Sequence, residues 1–345
     1  MSRAQGALVG LAVGDALGTT YEFQAIDQPA YPTLATTPAE DVVGAGPFGL
    51  VAGQVTDDTQ MAVCLARGLH AHGRLEVTDV AARYVAWMGE AFDVGTQTRS
   101  ALGRIQRGQG AWEAGLATWR ASGRQAAGNG SLMRTAPLGV ALAGAPAAVL
   151  LDAAIADSMI THADPRCLLA CAAFDAAIAA AVVAPGALTG GALVEVARTA
   201  LAAAAGRLTA RWGTAVDAEG MADAATIAAA HAALAQDLDA AGAPDPQLYG
   251  PELHLHRMAG FVRVAFRLAF WHVVHTPRWQ AAVVDVASRG GDADTNAAIV
   301  GALLGARDGL DAIPEAWRTR VLGVTQPGSP TWAAAHHPRH LLALT

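Results

Sequence analysis

Apolar residues recur at intervals of three and four through most of the chain, as in Met61, Cys64, Leu65 and Leu69, or Ile299, Leu303 and Leu304. That period lines them up on one face of an α-helix. Sustained alternation, which would mark half-buried strands, is hard to find. Glycine and proline clusters at residues 29–38, 44–53, 123–130, 185–191 and 242–251 interrupt the period and mark turns or loops. The expected fold class is therefore all-α, many helices joined by loops. There is no internal repeat and no long linker, so residues 1–345 are read as one domain. The alanine-rich segment 198–250 is a candidate helical insertion.

Composition narrows the class. A chain of 345 residues with 53% hydrophobic content can build one sizeable core. The net charge is -7, only 15% of residues are charged, and all 23 basic residues are arginine. That balance argues against a surface that coats nucleic acid. The apolar stretches 140–155 and 167–183 carry Asp152 and Asp175 and fall short of the roughly 18 clean residues of a spanning helix. The apolar start is interrupted by Asp15 and Glu22, without a convincing cleavage pattern. Cys64, Cys167 and Cys171 sit in apolar helical contexts with no framework spacing. The expectation is a soluble protein of a reducing cytoplasm, with no membrane partner.

Two acidic clusters stand just before helical periods, Thr56-Asp57-Asp58-Thr59 and Asp292-Ala293-Asp294-Thr295. Each alone reads as a helix cap, because side-chain oxygens satisfy free first-turn amides and acids favour the positive end of a helix. As a pair they offer a set of hard oxygen ligands suited to magnesium, manganese or calcium rather than zinc. A calcium-binding helix-loop-helix fails, since counting from Asp292 the sixth position is Ala297 and the twelfth is Leu303. Two carboxylate clusters brought together without a cation would repel one another. His254 and His256 have no companions at ligand spacing and read as surface or packing groups. Phe261, Phe266, Phe270 and Trp271 recur as a core face.

Further stretches complete a pattern: Gly6 to Gly18 with Glu22, Asp93-Val94-Gly95, Gly128-Asn129-Gly130 with Met133-Arg134, and Thr161-His162. With the two acidic clusters, in this order, they make the chain resemble the ADP-ribosylglycohydrolase family, in particular its ADP-ribosylarginine hydrolase type. The resemblance implies a compact orthogonal multi-helix globule with a dinuclear metal site. It implies two divalent cations, Mg2+ or Mn2+, held by Thr56, Asp57, Asp58, Asp292, Asp294 and Thr295, with Asp294 bridging. Such cations can fix ribose hydroxyls, lower the pKa of a bound water and stabilise charge as a glycosidic bond breaks.

By the same resemblance Glu22, Asp93 and Asp294 are the catalytic carboxylates, with Glu22 closing over the site or assisting proton transfer and Asp93 beside the scissile ribose. Asp15 reads instead as a structural acid that holds a loop through amides. Gly128, Asn129, Gly130 and Ser131 would cradle a diphosphate through amides at a helix N-terminus, and His162 would be a neutral donor to the same ligand. The implied partners are an ADP-ribosylated protein as substrate and ADP-ribose as product. Thr96 stands where relatives carry asparagine, which with the segment 198–251 leaves serine, nucleic acid or free ADP-ribose derivatives open as acceptors; Phe261 stands where relatives often carry tyrosine, a change that bears on nucleotide contacts; and a non-catalytic ADP-ribose binder is a second class, since related folds can lose activity.

Overall fold

Helical periodicity is realised along nearly the whole chain. The computed structural model describes residues 2–212 and 222–345, so positions 213–221 of the alanine-rich segment lie outside the described residues. In chain order the α-helices are α1 (Ser2–Gly18), α2 (Asp57–His72), α3 (Val77–Met88), α4 (Thr96–Gln106), α5 (Ala111–Ala121), α6 (Ala136–Ala141), α7 (Ala147–Thr161) and α8 (Pro165–Val183). They continue as α9 (Gly190–Trp212), α10 (Ala224–Gly242), α11 (Val262–His275), α12 (Trp279–Ser288), α13 (Ala293–Asp308), α14 (Glu315–Gly323) and α15 (Pro330–Ala335). Extended structure among the described residues amounts to a two-residue antiparallel pair, Gly44–Ala45 with Leu50–Val51, and three isolated bridges.

The centre is an antiparallel pair, α1 against α13. Glycine occupies every fourth position of α1, at residues 6, 10, 14 and 18, and so forms one stripe. A Cβ at these positions would collide with the carbonyl oxygens of Gly305, Gly301, Ala297 and Ala293 respectively. The backbones therefore touch directly, which larger residues would prevent. Both helices are buried almost throughout, as expected of helices apolar on every face. This packing sets Asp15, near the end of α1, beside the start of α13.

Around the pair, α12 and α11 pack on α13, while α8 packs on α7, α9 and α10. One correction concerns α8. The stretch that Asp175 seemed to interrupt is a continuous helix, and by length and hydropathy it could cross a membrane, yet 72% of its window is buried within the protein. Asp175 is accommodated there by the Thr135 hydroxyl, which donates to it at 2.6 Å, and burial holds its carboxyl well above the usual range. The described part of residues 198–250 packs inward. Asp237 of α10 is fully buried and accepts from Arg263 and Arg267 of α11.

Candidate active site

The two acidic helix starts meet. Thr56 is the N-cap of α2 and Asp292 that of α13, yet neither makes a side-chain cap bond. The capping of α2 is done by a residue from another helix. Asp15 accepts from the amides of Thr56 (3.0 Å) and Thr59 (3.1 Å) and from the hydroxyls of both threonines. That reserves the local acids for something else. It also gives Asp15 the amide-holding role read from the sequence.

The freed oxygens converge in two overlapping groups. Ligand atoms of Asp15, Asp58 and Asp294 lie within 4.8 Å of one another, as do those of Glu22, Asp292 and Asp294, so Asp294 belongs to both. The Thr56 hydroxyl lies 2.9 Å from Asp15, 2.9 Å from Asp58 and 3.3 Å from Asp294. Its single hydrogen can serve only one of these acceptors well. Among the described residues the buried atoms Glu22 Oε2 and Asp58 Oδ1 have no hydrogen-bond partner. Crowded, buried carboxylates with orphaned oxygens form a donor set that fits a hard cation.

Glu22 reaches this cluster because its segment is laced to the loop before α13. The Phe23 amide donates to the Gly291 carbonyl and the Gly291 amide to the Gln24 carbonyl, each at 2.7 Å. Gly290 and Gly291 both have φ near +70°, and a Cβ on Gly290 would strike the Gln24 carbonyl. Phe23 itself sits at φ 60° with its ring largely exposed at the rim, edge-on to Phe48, which in turn meets Phe92.

A cavity of about 470 Å³ opens over the carboxylates. Glu22, Asp57, Asp93, Asp292, Asp294 and Thr295 line one part of it, and Gly128, Asn129, Gly130 and His162 also contribute. Thr56 and Asp58 are fully buried beneath this lining. Thr96 and the motif residue Met133 join the wall, with Gln97, Thr98 and Gly260, none of which stands out in the sequence.

The glycine-rich segment differs from expectation. No helix starts at Ser131; α6 begins five residues later, at Ala136. The Gly128 amide donates to the Gln97 side chain (3.2 Å) and the Asn129 amide to the Gly260 carbonyl (2.9 Å), so neither is free for a phosphate. Ser131 is fully buried and its hydroxyl accepts from Ser158 and Cys171, which makes it support beneath the cavity floor rather than a ligand contact. Asn129 acquires a different task, since its carboxamide donates to Asp292 at 2.6 Å and orients that carboxylate. His254 and His256 are occupied elsewhere: His254 Nδ1 accepts from the His256 amide, and His256 Nε2 lies 2.7 Å from the Arg289 carbonyl. The three cysteines are free and buried.

Burial is the largest influence on every acid of the cluster. It pushes the carboxyls of Asp15 and Asp93 up to about 6 and that of Glu22 up to about 11, and holds Asp57, Asp58 and Asp294 well above the usual range. Neighbouring carboxylates add to the rise at Glu22, Asp58 and Asp294. A carboxyl raised in the folded state binds more protons there than in the unfolded chain, whose value is about 4. Its stabilising contribution is complete below that value and is lost as pH rises through the folded one. With chelator, melting temperature is expected to fall between pH 5 and pH 8 by more than it does with a divalent cation. Cation binding at pH 7 should release protons measurable in a weakly buffered titration. Equal pH slopes with and without cation would show that these acids do not hold it.

Comparison with known proteins finds matches along nearly the whole chain. Residues 1–340 match the family model described as ADP-ribosylglycohydrolase. An ADP-ribosylarginine hydrolase, Tri1, of Serratia proteamaculans (strain 568) is 35% identical over 179 residues, 50% of this chain and 45% of that protein. The Tri1 of Pseudomonas putida (strain GB-1) is 40% identical over 149 residues, 41% of this chain and 36% of that one. In both, the chain spans less than half the length of the relative. An ADP-ribosyl dinitrogen reductase glycohydrolase of Rhodospirillum rubrum is 28% identical over 320 residues, 92% of this chain and 90% of that protein. A solved structure described as an ADP-ribosylglycohydrolase-related protein complex superimposes with a TM-score of 0.67 at 28% identity, covering 99% of this chain and 96% of its own.

Proposed function

The chain belongs to the ADP-ribosylglycohydrolase family, and from that premise we propose that it hydrolyses the N-glycosidic bond joining ADP-ribose to an arginine side chain of a modified protein. The observation that carries the reading is the meeting of two helix starts, 238 residues apart from Thr56 to Asp294, in a carboxylate cluster under a ligand-sized cavity. The names of the relatives favour arginine as the acceptor. ADP-ribose is the product.

Water adds across the bond: its oxygen joins the anomeric carbon, the carbon–nitrogen bond breaks, and a proton must reach the departing guanidine. Thr56, Asp57, Asp58, Asp292, Asp294 and Thr295 would hold two divalent cations, Mg2+ or Mn2+, with Asp294 shared. When bound, these supply charge neutralisation, ribose positioning and activation of water. Glu22 and Asp93 face the same cavity, and Asp93, raised to about 6, is suited to carry a proton near neutrality. Asp93→Asn is expected to lower kcat about a hundredfold with the melting temperature preserved. A kcat within threefold of wild type would remove Asp93 from the proton path. His162 supplies a hydrogen bond to the ligand. Buried free thiols are consistent with a reducing cytoplasm, and the net charge of -7 argues against a surface that coats nucleic acid.

The decisive assay is ADP-ribose release from an arginine-modified protein with magnesium, with manganese and with chelator. Metal-dependent release is the expected result. Thr96, on the cavity wall where relatives carry asparagine, leaves a second reading open in which the acceptor is ADP-ribosylated serine, and the same assay on a serine-modified peptide separates the two. Failure on every conjugate, with intact cation and ADP-ribose binding, would leave a binding protein.

A further inference from the structure

Arg134 and Thr161 stand in the shared motifs without a role in the chemistry above, and both are fully buried. A buried guanidinium must spend its donors. Arg134 Nε donates to the Asp157 carboxylate (3.0 Å), Nη2 to the Asp157 carbonyl (2.9 Å) and Nη1 to Thr161 Oγ1 (2.8 Å), with a longer bond to the Gly130 carbonyl (3.3 Å). Tyr84 donates to the other Asp157 oxygen at 2.8 Å, and its ring lies 4.6 Å from the guanidinium carbon. The group is held in one place.

Guanidinium has donors only, so Thr161 Oγ1 is the acceptor in that pair. The hydroxyl's other contact is His162 Nδ1, at 2.8 Å. If Nδ1 carried a hydrogen, two donors would point at Oγ1 and the hydroxyl hydrogen would be left in a buried place without an acceptor, which is costly. With Nδ1 as a lone pair, the guanidinium, the Thr161 hydroxyl and Nδ1 are all paired. Burial and the charge of Arg134 hold His162 well below its ordinary value, so the ring is neutral and its one hydrogen sits on Nε2. Nε2 lies against Gly128 and Gly130, on the cavity side. The His162 backbone is anchored as well, its amide donating to the Ser158 carbonyl at 2.7 Å.

We propose that Arg134 acts through the Thr161 hydroxyl as a positioning residue that locks His162 in the Nε2–H tautomer, presenting a fixed hydrogen-bond donor to an anionic ligand oxygen of the nucleoside-diphosphate class. The opposite tautomer would turn a lone pair towards that oxygen. The ligand's identity rests on the proposed function; the tautomer does not.

The test reads the tautomer directly, from imidazole nitrogen resonances of uniformly 15N-labelled full-length protein, with His162 assigned by its loss in His162→Gln. The wild type is expected to show a protonated Nε2 and an unprotonated Nδ1 from pH 6 to 8. Thr161→Val should mix the tautomers and weaken ADP-ribose binding, measured by calorimetry, by roughly tenfold to a hundredfold, the range for a hydrogen bond to a charged group. Thr161→Ser, which keeps the hydroxyl, should restore both. A wild-type ring protonated on Nδ1 overturns the proposal even if the valine variant does not fold, and so does an unchanged tautomer in a folded Thr161→Val. A wild type with the expected tautomer that does not bind ADP-ribose would defeat the functional reading and leave the relay standing.

Discussion

Asp294→Asn is expected to reduce ADP-ribose release by roughly a thousandfold or more, the scale of losing several kcal/mol of charge stabilisation at a cation-assisted centre. Asp294 is the one carboxylate common to both ligand groups, so its loss affects both at once. Asparagine keeps the shape and removes the charge. It also relieves repulsion, because Asp294 raises the carboxyls of Glu22 and Asp58. The chelated variant should therefore melt no lower than the chelated wild type, while the shift produced by manganese shrinks or vanishes. Kinetics and thermal melts on the same preparations check both halves. Turnover within tenfold of wild type would mean that the shared position is not where the chemistry is supported.

Gly14→Val is expected to destabilise the fold by about 3 kcal/mol or more, at the upper end for an overpacked core. The new Cβ would meet the Ala297 carbonyl and the Ala298 amide nitrogen, both backbone atoms that cannot swing aside. Valine is the better helix former, so intrinsic propensity pushes the other way. Gly206, exposed on α9 with open space around it, is the control: Gly206→Ala should be neutral or stabilising by about 0.5–1 kcal/mol. Urea midpoints compare the two. Any folded fraction of Gly14→Val should also bind cation weakly, because the neighbouring Asp15 organises the first turn of α2. An unchanged midpoint would show that α1 and α13 can separate without penalty.

The helical class was legible because the apolar period runs through most of the chain, and the acidic helix starts because acids and hydroxyls cluster there at 56–58 and 292–295. The α1 stripe was readable in principle, as glycine at every fourth position, but nothing local says which helix it faces. What stayed hidden depends on distant partners. Capping was the ordinary reading of Thr56 and Asp58 until Asp15, on another helix, took over the amides. The Gly128 and Asn129 amides looked free until Gln97 and Gly260 claimed them, and Ser131 looked available until Ser158 and Cys171 closed over it. Arg134 and Thr161 were visible as motif residues, while the direction of their hydrogen bonds requires coordinates.

The placement of Asp15 and Asp294 has a consequence for how the protein is made. A ribosome releases α1 and the start of α2 long before it reaches α13, and until then the first three-carboxylate group lacks a member. A nascent or truncated chain ending before residue 293 therefore has no complete ligand set, however well its early helices form. Contacts of such separation are slow to close. Uptake of a cation by these groups would thus be a late event in the making of each molecule, one that waits for the start of α13.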